Sequence, residues 1–339
     1  MTRSIPVLSL FSLAILTTLA VPAARAQAPS AIASLEITGP YAYQNLAVFL
    51  VHDKQAAEHA EMLTLEEALK SKDVVVEETS QVNELVASNK GSKSVYIQSG
   101  DIVKGGKQDR VLSRDTVLPP GATKIPLKSF CVEQGRWHGR GAESAQHFGS
   151  SRNTLVTKKQ KMAVKVAANQ SEVWASVAEA QANIGGKMGR QIQSNESRTS
   201  LQLSLENGEL QKTVEEYVKA IEKQVPVAKD GVGYAIAVNG KVESVDVFAS
   251  PKLFGKMKGK LLSSGATEAV AEKGPGNVVT PGKEAVTALL VDAEAGQAKP
   301  EQRSARTKIG SKESAKGMVF TTEDPFLPTK AVHKNYLAK

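Results

Sequence analysis

Cys131 is the only cysteine in this 339-residue chain, and that single thiol limits what the chain can fold into more than any other feature. No disulfide can close within one molecule, so stability has to come from burying apolar surface. With 41% hydrophobic residues the chain can build one large core or two small ones. The constraint tightens because the N-terminus reads as an export signal. Arg3 supplies a positive start, Ile5 to Val21 form an apolar run broken only by small or hydroxyl residues and Pro6, and Ala24-Arg25-Ala26 is a small-x-small cleavage pattern. Residues 1–26 are therefore expected to be removed between Ala26 and Gln27, leaving a periplasmic or extracellular protein with a small-residue leader over 27–34. The apolar run falls short of the ~20 residues of a spanning helix, and no later segment is apolar enough to cross a membrane.

Losing Arg3 and Arg25 lowers the formal charge of +8 by two. Acidic and basic residues alternate along the chain, which describes a solvated surface with some attraction to anionic envelope components. Nucleic acid is not an expected partner, because aromatics are sparse and no basic stripe interleaves with them.

The periodicities point to an α+β fold, with a β-rich N-terminal layer, a helical middle, and a C-terminal β-hairpin plus helix. Leu46 to Val51, Val74 to Val76, Val95 to Ile97 and Thr123 to Glu133 read as strands, with a turn at Pro119-Pro120-Gly121. Leu63 to Leu69 reads as a short helix with a Thr64/Glu67 capping box. In the middle, Ser171 is expected to cap a helix ending at Gly185-Gly186, and Leu210 to Ile221 repeat at helical spacing. Asn239-Gly240 between Tyr234–Val238 and Lys241–Phe248 predicts a type I′ hairpin. A helix from Ser250-Pro251 and another over Glu284 to Glu294 follow. Gly274 to Gly282 reads as loop, Lys299 to Lys316 is polar, and Met318 to Thr321 reads as a last strand.

One stretch concentrates polar chemistry: Gly105-Gly106-Lys107-Gln108-Asp109-Arg110, followed by Cys131-Val132-Glu133-Gln134-Gly135-Arg136-Trp137. These motifs and the Pro-Pro-Gly turn between them resemble the family named for its association with ADP-ribosylglycohydrolases and rhodanese-phosphatases. Tyr43-Gln44-Asn45-Leu46, Gln170 to Trp174 and the Gly233 to Phe248 hairpin with Leu253-Phe254 extend the resemblance over about residues 35–265. Residues 266–339 are then a C-terminal extension packing on the same domain. The chain departs from the family at Asp109, where Asn is more usual. The resemblance implies no particular activity.

Several better-known sites are excluded. Cys131-x4-Arg136 lacks the glycine placement of a rhodanese loop, has Glu133 where an anion would sit, and has no following helix to lower the thiol pKa. A buried inert thiol is expected instead. Gly100-x4-Gly105 before Gly106-Lys107 has its lysine one residue late for a phosphate loop, and no Ser or Thr follows to hold magnesium. The five histidines show no convincing metal spacing, so neither a metal nor a cofactor is expected.

The expected function is binding of an anionic small molecule, an envelope component or a protein partner. Lys107, Arg110 and Arg136 would meet the anion, Gln108 would hydrogen-bond, Trp137 would stack, and Glu133 would balance charge. The alternatives are a structural ion pair beneath a packed tryptophan, or a hydrolase of a nucleotide-sugar or phosphoester with Glu133 as general base. The latter requires Glu133 in a pocket with a raised pKa.

Overall fold

The fold is known from a computed structural model that describes residues 32–56, 61–149, 154–274, 279–327 and 330–339, with Met1 and Ser151. The expected signal over 1–26 lies outside the described residues apart from Met1.

Strands β1 (Leu35–Tyr43) and β2 (Leu46–Asp53) pair antiparallel. The short β3 (Leu63–Thr64) leads into helix α1 (Leu65–Lys70). There the Thr64 side chain accepts from the Glu67 N–H, while the Glu67 carboxylate accepts from the Thr64 N–H. That is the expected capping box. The rest of the N-terminal part is all strand: β4 (Val74–Gln81), β5 (Glu84–Asn89), β6 (Val95–Ile97), β7 (Ile102–Gly105), β8 (Arg110–Leu112), β9 (Thr116–Leu118), β10 (Ile125–Cys131) and β11 (Phe148–Gly149).

The helical middle starts with α2 (Lys158–Met162), which continues into a π-helical turn at Ala163–Ala167. Helices α3 (Gln170–Met188), α4 (Leu201–Leu205) and α5 (Gly208–Glu222) follow. Asn169, not Ser171, caps α3, its side-chain oxygen accepting from the N–H groups of Ser171 and Glu172. Gly185 and Gly186 stay helical, and the left-handed Gly189 ends the helix. The chain then forms β12 (Gly231–Val238), β13 (Lys241–Phe248), α6 (Pro251–Ala271), α7 (Lys283–Glu294), β14 (Gln297–Ser304), β15 (Thr307–Glu313), β16 (Gly317–Glu323) and β17 (Ala331–Ala338).

The polar segment Lys299 to Lys316 largely forms the hairpin β14–β15. It was hidden because β14 lies at a sheet edge with every residue but Ser304 exposed, which leaves no apolar alternation to read. Met318 to Thr321 belongs to β16, but β17 is the last strand.

An eight-stranded sheet runs in the order β1-β2-β12-β13-β17-β16-β15-β14, so the last four strands share a sheet with the first two. Its central strands are buried on both faces. Leu46, Val48, Leu50, Tyr234 and Ile236 pack with α3, α5 and α6 residues, while Ala47, Phe49, Val51 and Ala235 pack with Val286, Leu290 and Ala293 of α7. This double coverage explains their near-continuous apolar sequence. A six-stranded sheet (β11-β7-β8-β10-β5-β4) and a three-stranded one (β3-β6-β9) complete the β structure. The Pro119-Pro120-Gly121 turn does not close a simple hairpin. Strand β9 leaves to pair with β6, whereas β8 pairs with β10.

The β12–β13 turn is as expected, with Asn239 at φ +50° and Gly240 at φ +80°. Gly240→Val should cost about 1 kcal/mol or more, because a β-branched residue resists positive φ. Urea unfolding of the variant checks this, and an unchanged midpoint contradicts the turn.

Candidate functional site

The two polar motifs do meet, through the β8–β10 ladder, which sets Arg110 opposite Cys131. The Asp109 N–H donates to Glu133 Oε2 at 3.0 Å, the Val132 N–H to the Asp109 carbonyl at 3.0 Å, and Gln108 Nε2 to the Glu133 carbonyl at 2.8 Å. The consecutive residues Asp109 and Arg110 nevertheless send their side chains to different partners, as neighbours on an extended chain do.

On one side, Asp109, Glu133, Arg136 and Arg140 form a closed knot. Arg136 Nε donates to Glu133 Oε1 at 2.8 Å, and its NH2 lies 2.7 Å from Glu133 Oε2. Its remaining donors reach the carbonyls of Gly105, Gly106 and His138. Arg140 NH1 donates to Asp109 Oδ2 at 2.9 Å and to Glu133 Oε1 at 3.3 Å, and its NH2 to Glu143 at 3.0 Å. Asp109 also accepts from Ser200 Oγ at 2.7 Å and from the Gly105 N–H at 3.0 Å. Both its oxygens only accept, so a carboxylate serves here where an amide would present a donor to donors. Gly106, at φ +57°, lets the chain turn beneath the Phe148 ring, where a Cβ would meet ring carbon at 2.2 Å.

On the other side, Arg110 donates to the Val82 carbonyl at 2.5 Å, touches Cys131 Sγ at 2.6 Å and reaches Glu78 at 3.3 Å. Trp137 covers this group, with Arg110 5.6 Å and Lys107 Nζ 5.2 Å from its ring centre. Lys107 Nζ also donates to Ser80 Oγ at 2.9 Å.

The expected site residues therefore separate into Gln108, Glu133 and Arg136 in the knot and Lys107, Arg110 and Trp137 beside it, and the arginines of the two groups have different acids. Only Trp137 is well exposed, at 43%. Arg110 and Arg136 do not converge on a shared anion site, because internal carboxylates already neutralise both. Glu133 is fully buried. Burial opposes its charge, but hydrogen bonds from Arg136, Ser197 and Asp109 outweigh it and hold the carboxyl below its usual range. The raised pKa needed by a general base is absent. Cys131 is the expected buried thiol, pushed up to about 11 by burial despite the nearby Arg110. Arg140, Glu78 and Ser200 were not foreseen, since only the fold brings them to the motifs.

A second constellation lies where β13 and β17 of the large sheet meet β6, β9 and the π-helical turn. Asp246 sits opposite Asn335 in the β13–β17 register. His333 donates from Nδ1 to Asp115 Oδ2 at 2.8 Å and from Nε2 to Asp246 Oδ1 at 3.0 Å. Carboxylates only accept, so a ring between two of them carries both protons. Burial disfavours the imidazolium, yet the charges and hydrogen bonds of Asp115 and Asp246 raise its pKa. Asp115 is held very low despite burial, by His333 foremost, and also accepts from Tyr96, Thr322 and the Ser99 N–H. Asp246 Oδ1 takes further bonds from Asn335 Nδ2 at 3.0 Å and Gln98 Nε2 at 3.3 Å.

In front of this cluster is a small cavity of about 30 Å³, lined by Gln98, Ser244, Asp246 and Asn335 and, from the helical side, by Lys161 and Lys165. Lys165 lies on the π-helical turn, a geometry frequent at functional sites. Its ammonium donates to Asn335 Oδ1 at 2.6 Å and sits 4.8 Å over the Phe320 ring; burial lowers its pKa, opposed by Asp115 and Asp246. Among the described residues the Lys161 ammonium has no hydrogen-bond or ion-pair partner. The Gln98 Oε1 and Ser244 Oγ atoms are buried without one. The sequence concealed this site because Ser244 and Asp246 alternate with apolar residues, the pattern of a strand with one wet face, whereas both faces of this sheet are covered.

Among the described residues no helix is long and apolar enough to cross a membrane. No curated protein and no solved structure matches the chain significantly. A family model described as the ARG and Rhodanese-Phosphatase-superfamily-associated Protein domain does match, over residues 34–337, running past the resemblance seen in sequence and through the C-terminal strands. Spanning nearly all of the fold just described, that match makes the chain a member of the ARPP-1 family.

Proposed function

We propose that the protein is an exported binding module for a small anionic ligand, taken up in the cavity between the π-helical turn and the β13–β17 strands. The carrying observation is the unpartnered Lys161 ammonium at that cavity beside buried polar atoms that also lack partners. Charge counting supports it. Asp115 and Asp246 are offset by protonated His333 and by Lys165, and Lys161, which acts on Glu268 through its charge without a hydrogen bond, adds a further cation at the cavity. Export rests on the N-terminal signal pattern.

Titration calorimetry with phosphate, bicarbonate, sulfate and acetate at fixed ionic strength tests the reading. At least one anion should bind saturably. Lys161→Met and Lys165→Met should each weaken that binding about tenfold, or ~1.4 kcal/mol. Lys107→Met should leave it unchanged. Absence of saturable binding, or an equal loss in Lys107→Met, overturns the reading.

A further inference from the structure

The chemistry of the cavity wall restricts the ligand further, on the premise that the cavity is a binding site. The orientation of the Gln98 amide is fixed by its neighbour. Asp246 Oδ1 accepts from His333 and Asn335 and can only accept from Gln98, so the Gln98 atom facing it is Nε2. Oε1 is then the atom left without a partner, on a side chain only 5% exposed. A buried acceptor of this kind requires a donor. Lys161 and Lys165 can only donate, and Ser244 Oγ can do either. A ligand bridging the lysines and Gln98 would accept at the ammonium groups and donate to Oε1. With about 30 Å³ available, it presents only a few heavy atoms to this wall.

We propose that the ligand is a small oxyanion that carries its own O–H, of the hydrogenphosphate or bicarbonate class, with its charge at Lys161 and Lys165 and its O–H donated to Gln98 Oε1. A fully deprotonated oxyanion such as sulfate has no donor and would set oxygen against oxygen at Gln98. The discrimination is large because the mismatch is buried.

The test compares phosphate, bicarbonate, sulfate and acetate on the wild-type protein by calorimetry near pH 7, where phosphate keeps at least one O–H. Phosphate or bicarbonate should bind at least tenfold tighter than sulfate or acetate, and the tighter of the two identifies the class member. Gln98→Met should reduce that preference to within about threefold, because the acceptor is gone. If the variant does not fold, the wild-type comparison decides alone. Sulfate or acetate binding as tightly as phosphate and bicarbonate would overturn the O–H inference while leaving the binding module intact. No saturable binding of any of the four would overturn both.

Discussion

Glu133→Gln is expected to lower the unfolding free energy by about 3–5 kcal/mol, the usual cost of removing one partner from a buried ion-pair network. The wild-type carboxylate faces only donors: Arg136 Nε and Arg140 NH1 at one oxygen, the Asp109 N–H and Arg136 NH2 at the other. An amide would turn its own N–H groups toward some of them and leave two buried guanidinium groups short of a counter-charge. Arg140→Met, which strands Asp109 and Glu133 instead, should fall in the same range. Equilibrium urea unfolding measures both. If the knot were a ligand site, Glu133→Gln would be near neutral in stability and would strengthen anion binding at Arg136. The pH dependence has a defined sign. Because the folded pKa of Glu133 is depressed, its contribution is present above the ordinary carboxylate range and is lost as pH falls through that depressed value.

Glu268→Gln should do the reverse and stabilise the protein at alkaline pH. Glu268 is fully buried in α6; its Oε1 accepts from the Lys158 N–H and its Oε2 has no partner. Burial foremost, with Glu243 and Glu272 adding to it, raises its pKa from 4.5 to about 7 against the pull of Lys161. Between those values the folded protein holds a proton that the unfolded chain has released, so stability falls as pH rises from 4.5 to about 7. The loss is on the order of 3 kcal/mol at ~1.4 kcal/mol per unit. The variant should match wild type near pH 4.5 and exceed it by roughly 2–3 kcal/mol at pH 8. Unfolding curves at the two pH values decide; a difference that does not change with pH contradicts the assignment. His333, whose raised pKa also loses stability as pH increases, contributes equally to both proteins and drops out of the comparison.

Local signals in the sequence mapped onto structure where the physics was local. The Thr64/Glu67 box, the Asn239-Gly240 turn and the Ser250-Pro251 start each depend on a few adjacent residues, and each is present. The edge hairpin β14–β15 and strand β17 depend on pairing with distant strands, and no periodicity revealed them. The same division holds for the sites. The Lys107–Arg110 and Glu133–Trp137 motifs are contiguous and therefore visible, and the β8–β10 ladder brings them side by side. Their ion pairing is completed by Glu78, Arg140 and Ser200, which the fold alone supplies, and that completion turns a cluster of cations into a closed knot. Lys165, Asp246 and His333 are isolated polar residues in apolar surroundings, and only the packing of π-helical turn against sheet brings them together.

The most direct measurement is the position of bound phosphate in a crystal of the protein grown with it. Phosphate should lie between Lys161 and Lys165, with an oxygen at Ser244 Oγ and an O–H directed to Gln98 Oε1, while the Asp109, Glu133, Arg136 and Arg140 side chains keep their pairing. Phosphate bound instead at Lys107, Arg110 or Arg136, with Glu78 or Glu133 displaced from its arginine, would contradict it.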